Sequence, residues 1–414
     1  MIWSAPPLWK EGRLYRHKVL HYLVQKYAWG STTAIQGLIG EKKFSNEPVA
    51  ELWMGAHPKA PSMVNYKGQW ISLADLIAQN PQAILGEKVA KKFNNQLPYL
   101  FKVLAATKPL SIQAHPGLEL ARKGFENENK QGISINAAHR NYKDDNHKPE
   151  CICALSSFWA LYGFRKIDDI LSLMGKICPV GLNSEITRLK KQADARGLKL
   201  FFTALMSMDT EQKKRVIDEA TLNAKQLSEE NSAFHWMTKL SKQYPLDIGI
   251  LSPLFLNLIE LKPGQALFLP AGELHAYLKG VGIELMANSD NVLRGGLSPK
   301  HIDVPELLKV LNFKRRHVQF LKAKRKKKTE RIYESFAEEF VLSAISITEG
   351  ELYRDSNIKS AQILLCTEGE ARLADRASQH ILHIEKGGSV FVSAAAISYT
   401  IKGEAVFYKA SVPV

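Results

Sequence analysis

The spacing of apolar residues changes character twice along this chain. From about Tyr22 to Val103, and again after Pro245, apolar residues come in short stretches broken by Gly and Pro, as in strands joined by tight connections. Between Ile167 and about Gln243 they fall three and four apart instead, in "EITRLKKQ", "LFFTALMSM" and "RVIDEATLNAKQL". Val216, Ala220, Ala224 and Leu227 make one such stripe, the signature of an amphipathic helix. A chain that moves from strand spacing to helix spacing and back is neither one uninterrupted sheet nor a bundle. It predicts a mostly β fold with a helical insert, and 414 residues are enough for two or three domains.

The turn "KPGQ" sets Pro and Gly side by side between "LNLIEL" and "ALFLPAG", which suits a tight reversal between strands. From 331 to 414 the stretches "FVLSAISI", "AQILLCTEGEARL", "SVFVSAAAISYTI" and "AVFYKASV" alternate in the manner of a β-sandwich or jelly roll. Two related barrels follow from the similar strand and Gly-turn patterns of the two β segments. No apolar run approaches the roughly 20 residues of a membrane helix. The N-terminus lacks the unbroken apolar centre of an export signal and reads as an extension. Cys151, Cys153, Cys178 and Cys366 are too few and too irregular for a disulfide framework, so a reducing, cytoplasmic setting is expected. Cys151 and Cys153 read as a buried strand face.

Net charge is +15, which attracts anions such as nucleic acid, an anionic membrane or a phosphorylated metabolite. Six basic residues between Lys322 and Lys328 hold much of the excess, and that run reads as a solvated loop or linker. No zinc-finger spacing, RNA-recognition aromatics or zipper heptad accompanies it, so neither nucleic acid nor membrane is expected as a partner. The Gly pattern of a dinucleotide fold, the GxxxxGK[ST] loop and the GxSxG elbow are all missing.

Three separated stretches carry ligand-type side chains. In "SIQAHPG" the strand alternation puts Ser111, Gln113 and His115 on one face and Ile112 and Ala114 on the other. "YKDDNHKPE" offers His147, Lys148 and Glu150, held out of a helix by Pro149. "GELHAYL" sets His275 and Tyr277 on one strand face. Two His, one Glu and an amide oxygen make a borderline N/O site suited to zinc or another divalent ion. "MANSDNVLRGGLSPKH" adds Arg294 and Lys300 for a phosphate or oxyanion, with Asn288, Asp290 and Asn291 for hydroxyls. Gly295 and Gly296 would let backbone N–H groups approach, and Ser298 is a candidate helix cap.

The motifs "YAWGS", "AELWMGAHPKAPS", "LPYLFKVLAATKPLSIQAHP", "NYKDDNHKPE" and the long stretch from "LNLIEL" to "HIDVPELL" occur in one order from about Tyr22 to Leu311. Together they resemble the type I mannose-6-phosphate isomerases. The resemblance implies a cupin-type metal-binding catalytic domain at 19–155 and 246–320, after an extension at 1–18. It implies an α-helical insert at 156–245 and a C-terminal jelly roll at 330–414. It further implies one Zn2+ per chain on Gln113, His115, Glu150 and His275, and Arg294 as essential to turnover. Ser111, Lys148, Tyr277 and Lys300 are then the expected contacts to the sugar phosphate. The reaction implied is aldose–ketose interconversion of mannose 6-phosphate and fructose 6-phosphate through an enediol, within mannose metabolism and GDP-mannose biosynthesis. His147, Glu284, Lys148 and Asp290 all remain candidates for the proton-transferring group. The rival readings are a non-catalytic sugar-phosphate-binding cupin and a metal oxygenase on the same barrel. The expected state is a monomer or weak homo-oligomer.

Overall fold

The computed structural model describes residues 23–414 apart from 42–43, 67, 178, 357 and 376–380. The expected extension at 1–18 and Cys178 lie outside the described residues. A ten-stranded sheet system carries the first β part, its central path running Leu23–Gln25, Glu51–Gly55, Tyr99–Ala106, His275–Ala287, Ile112–Ala114 and Leu293–Gly296. The long strand His275–Ala287 is the organising element: it pairs antiparallel with Tyr99–Ala106, Ile112–Ala114, Glu150–Ala154 and Phe158–Phe164. A register shift between Tyr277 and Lys279 and a left-handed Gly280 (φ +136°) let this strand bend from one set of partners to the other.

The "KPGQ" turn forms as expected, with Gly264 at φ +81° and Gln265 N–H donating to the Lys262 carbonyl. It does not close a hairpin. Leu256–Leu261 pairs with Phe158–Phe164, whereas Ala266–Leu269 pairs with Glu150–Ala154, so the turn passes the chain between two different neighbours. Phe158–Phe164 is therefore part of the β framework, and the helices begin at Ile167 rather than at 156. The reason is local: "FWALYG" is aromatic and strand-like, and the helical spacing starts only after it.

Helices run from Ile167–Ile177 to the short Ser252–Phe255. Side-chain caps fix their starts: Asp194 accepts from Gly197 N–H, Asp209 from Gln212 N–H and Asn231 from Ala233 N–H. Val216, Ala220 and Ala224 are buried on the helix Thr210–Gln226, while Leu227 closes its C-terminus. At the junction with the β framework, Phe164 stacks on Phe313 and meets Phe202 edge-on, and Phe202 meets Phe255 edge-on. Ser298 does not cap a helix. The following helix starts at Val304, where Asp303 accepts from Glu306 N–H, because Pro305 sits in the first turn.

The C-terminal eight-stranded sheet begins at 323, not 330. The basic run is a strand, Ala323–Lys327, paired with Glu330–Tyr333. Charge on both of its sides hid the alternation. This sheet packs on the first through a shared core in which Phe101, Ile283 and Cys153 meet Tyr333, Leu365 and Tyr408. Cys151, Cys153 and Cys366 are buried free thiols.

Inside the C-terminal sheet lies a charged group: Lys409 Nζ stands 2.7 Å from Glu330, 3.2 Å from Asp355 and 2.8 Å from the Tyr353 hydroxyl. Burial pushes the Asp355 carboxyl up, but the Lys409 ammonium and the Gln362 amide outweigh it and hold it below its ordinary value. Lys409→Met should cost about 3–5 kcal/mol, because it strands two buried carboxylates. A lowered denaturation midpoint with unchanged turnover is the expected readout. An unchanged midpoint would show that the carboxylates do not depend on this ammonium.

Candidate metal centre

Three strands bring one row of side chains to a common face. Arg294 on Leu293–Gly296 lies opposite Gln113 on Ile112–Ala114, and Gln113 lies opposite His275. Directly paired residues in antiparallel strands project to the same side. The short strand ends at Ala114, so His115 comes from the segment after it rather than from the strand face, yet its ring reaches the same place. Glu150 opens the strand Glu150–Ala154 and completes the group. His115, Glu150 and His275 have ligand atoms all within 4.8 Å of one another.

The tautomers of both imidazoles follow from their outer hydrogen bonds. His115 Nδ1 is 2.7 Å from the Asn291 carbonyl, and His275 Nδ1 is 2.9 Å from the Glu273 carbonyl. A carbonyl only accepts, so each Nδ1 carries the proton and each Nε2 keeps its lone pair. Those lone pairs face Glu150, at 3.3 Å from Oε1 and 3.4 Å from Oε2. His115 Nε2 and Glu150 Oε2 have no hydrogen-bond partner, although both residues are almost fully buried. Buried polar atoms rarely go unpaired, and these two point at a common space. Burial pushes the His115 imidazole down to about 4, leaving it neutral. Burial pushes the Glu150 carboxyl up, but the charge of Lys148 at 3.3 Å counters it, and the carboxyl stays well below its usual value. Gln113 Nε2 approaches His275 Nε2 at 3.4 Å, and a half-turn of the amide presents its oxygen there instead.

Around this centre the expected residues divide. Lys148 is buried with Nζ 3.3 Å from Glu150 Oε1. Glu284 is buried and bonded at 3.0 Å to Lys102, which also faces Glu51 at 3.6 Å and the Trp53 ring at 5.1 Å. Burial pushes the Glu284 carboxyl up, Lys102 opposes this, and the nearby Glu150 and Glu51 charges leave it raised. Asp290 pairs with Lys59 at 2.7 Å and faces His57 at 3.7 Å. His147 is drawn elsewhere: its Nε2 lies 2.6 Å from Glu339 of the C-terminal part. Tyr277 is fully buried, packed edge-on against Phe158 and beside the His275 ring, so it forms a wall under the centre. Ser111 is half-buried just before the strand. Arg294 is half-buried, and burial pulls its guanidinium pKa down. Lys300 is pulled down by burial and by the charges of Arg294 and Lys143. Arg294, Lys300 and Lys143 have no carboxylate partner among the described residues, so three cations converge with nothing to neutralise them.

Asn291 is not free to bind hydroxyls, whereas Asn288 keeps a buried Oδ1 without a hydrogen bond. Asn288 Nδ2 donates to the Leu97 carbonyl. Asn291, fully buried, accepts from Lys143 N–H and Asp144 N–H and donates to the Asp144 and Asn146 carbonyls. Its own carbonyl holds His115. One side chain therefore fixes the segment leading to Lys148 and Glu150, and the same residue orients a histidine. Asn291→Ala keeps the backbone carbonyl that holds His115 but releases the 143–146 segment ahead of Glu150, and should weaken divalent-metal affinity by roughly 10- to 100-fold, the usual cost of losing support behind a ligand. Competition with a chromogenic chelator measures this, and unchanged affinity would show that the segment leading to Glu150 needs no such support. Gly295 and Gly296 serve packing: a Cβ on Gly295 would meet Leu274 at 3.1 Å, and one on Gly296 would meet Gly249 at 3.0 Å. Lys102, Glu51, His57 and Lys59 were not singled out by sequence reasoning. A lysine inside the otherwise apolar "YLFKVLAA" was the available signal, since a charge there requires a buried partner.

A family model for the type I phosphomannose isomerase catalytic domain matches residues 18–167, and one for the helical insertion domain of the same enzymes matches 180–256. Mannose-6-phosphate isomerase of Escherichia coli K12 is 43% identical, covering 92% of this chain and 95% of that enzyme. The Homo sapiens enzyme of the same name is 36% identical over 90% of this chain and 92% of its own length. A crystal structure of zinc-bound mannose 6-phosphate isomerase superposes with a TM-score of 0.87 at 39% identity, covering 95% of this chain and 98% of that one. A variant of phosphomannose isomerase from Salmonella typhimurium gives 0.88 at 38% identity, with the same coverage.

Proposed function

Because the chain belongs to the type I phosphomannose isomerase family, we propose that it interconverts mannose 6-phosphate and fructose 6-phosphate, with one zinc ion held by Gln113, His115, Glu150 and His275. The observation that carries this reading is the pair of buried atoms, His115 Nε2 and Glu150 Oε2, left without hydrogen bonds beside His275 Nε2. Neutral imidazole, carboxylate and amide oxygen are the donor types zinc accepts while leaving positions open. When bound, the ion supplies positive charge for the oxygens at the reacting carbons.

The isomerisation moves a proton between C1 and C2 through an enediol, and the chain must supply a group to carry it and charge to steady the anion. Lys148 is the candidate that stands at the centre, between Glu150 and the charge of Asp290. We assign it proton transfer at C2, with the Lys102–Glu284 pair fixing the charge behind it. His147 is set aside because its ring is committed to Glu339. Lys143, Lys300 and Ser111 suit the phosphate, and Arg294 lies between that end and the metal ligands in the strand row. Lys143 joins this set from its place beside Lys300.

Chelation should abolish conversion of mannose 6-phosphate, and added zinc should restore it. The non-catalytic reading predicts sugar-phosphate binding without conversion, and the oxygenase reading predicts an oxygen requirement. Full activity after complete metal removal would overturn the assignment.

A further inference from the structure

We propose that the outer edge of the strand Ala323–Lys327 is a docking edge for an acidic, extended polypeptide that adds to the C-terminal sheet. The charge of this chain is concentrated here: residues 312–331 hold ten Lys and Arg against the single carboxylate Glu330, in a protein of net charge +15. Among the described residues the strand pairs on one side only, with Glu330–Tyr333, so its other row of backbone N–H and C=O groups faces outward. Four of its five residues are exposed.

Some of the cations are matched internally: Lys324 pairs with Glu334, Lys327 lies 3.9 Å from Glu330, and Lys328 lies 2.8 Å from Glu351. Lys322, Arg325 and Lys326 have no ion pair among the described residues. Alternation sends Lys322, just ahead of the strand, to one side and Arg325 to the other, and a register shift between Arg325 and Lys327 leaves Lys326 as the extra residue of a bulge. A duplex or a flat polyanion reads cations gathered on one face. An added acidic strand would instead place carboxylates opposite cations on both faces, as cross-strand pairs.

Charge also decides against the nearest alternatives. A second copy docked edge to edge would set lysines against lysines. The first 22 residues of this chain carry four Lys and Arg and one Glu, the wrong sign for this edge. Lysines on an edge strand ordinarily repel neutral or basic strands, and an acidic one reverses that effect.

The test uses the intact protein and a fluorescent peptide of repeating Glu-Glu-Thr-Thr, which sets carboxylates on both faces of an extended strand, followed by anisotropy. Lys322→Gln/Arg325→Gln/Lys326→Gln should weaken binding at least roughly tenfold, since a few cross-strand charge pairs add to more than 1.4 kcal/mol. N-methylation of alternate peptide amides should abolish binding, and turnover of the triple variant should match wild type, which verifies its fold. The proposal is overturned if wild type does not bind the peptide, if the triple variant binds it equally, or if the N-methylated peptide binds as well. Tighter binding of a charge-matched single-stranded oligonucleotide than of the peptide would overturn it in favour of nucleic acid.

Discussion

Replacing His275 with alanine is expected to empty the metal site and to lower turnover of mannose 6-phosphate by at least about 10³-fold, the equivalent of several kcal/mol of charge stabilisation. His275 contributes the Nε2 lone pair that faces Glu150 Oε2 at 3.4 Å, and its Nδ1 is held by the Glu273 carbonyl. No neighbouring side chain can swing in, because the position is buried at the start of a strand paired on both sides. Removing the imidazole leaves Glu150 with His115, Gln113 and Lys148, and Lys148 then has every reason to claim the carboxylate. Elemental analysis beside steady-state kinetics reads both effects, with circular dichroism to show that the sheet survives. A His275→Ala protein that keeps one full equivalent of zinc would remove His275 from the ligand set.

Arg294→Ala should lower turnover by roughly 10² to 10⁴, the range for withdrawing a positioned charge from a developing oxyanion, while zinc content stays near wild type. The guanidinium stands in the same row as Gln113 and His275, half-buried, with no carboxylate to absorb its charge among the described residues. Such a cation is set for an anion that arrives with the substrate. Lysine in its place should rescue only in part, because a point charge cannot reproduce two parallel hydrogen bonds. Binding of a non-reacting sugar phosphate separates the two roles open to this residue. Intact turnover with weakened binding would make Arg294 a phosphate clamp beside Lys300 and Lys143. Reduced turnover with preserved binding is the outcome expected here.

The helical insert was legible because its spacing repeats for many turns, and the buried stripe of Val216, Ala220 and Ala224 follows it. Gln113 and His275 were legible because each sits in a strand among apolar residues, whereas His115 lies past the end of its strand and reaches the centre without the alternation that pointed to it. What sequence spacing could not supply was which distant residues meet. Lys102 and Glu284 are 182 positions apart and pair only because their strands are registered neighbours. His147 looked like a base in "NHKPE", but Glu339, in the connection before the strand Val341–Ile347, bonds its Nε2. Asn291 looked like a hydroxyl binder, but it is spent on backbone groups of the 143–146 segment. The basic run looked like a linker because charge conceals strand alternation when both faces are wet.

On the proposed function, Gln113, His115, Glu150 and His275 hold the catalytic ion beside the sugar phosphate. Anomalous scattering at the zinc edge from crystals soaked with zinc and a non-reacting sugar phosphate tests it most directly. The expected map has a single strong peak within about 2.0–2.2 Å of His115 Nε2, His275 Nε2 and a Glu150 oxygen, with the phosphate on the side of Arg294 and Lys300. A peak elsewhere, or sugar phosphate bound away from these residues, would contradict it.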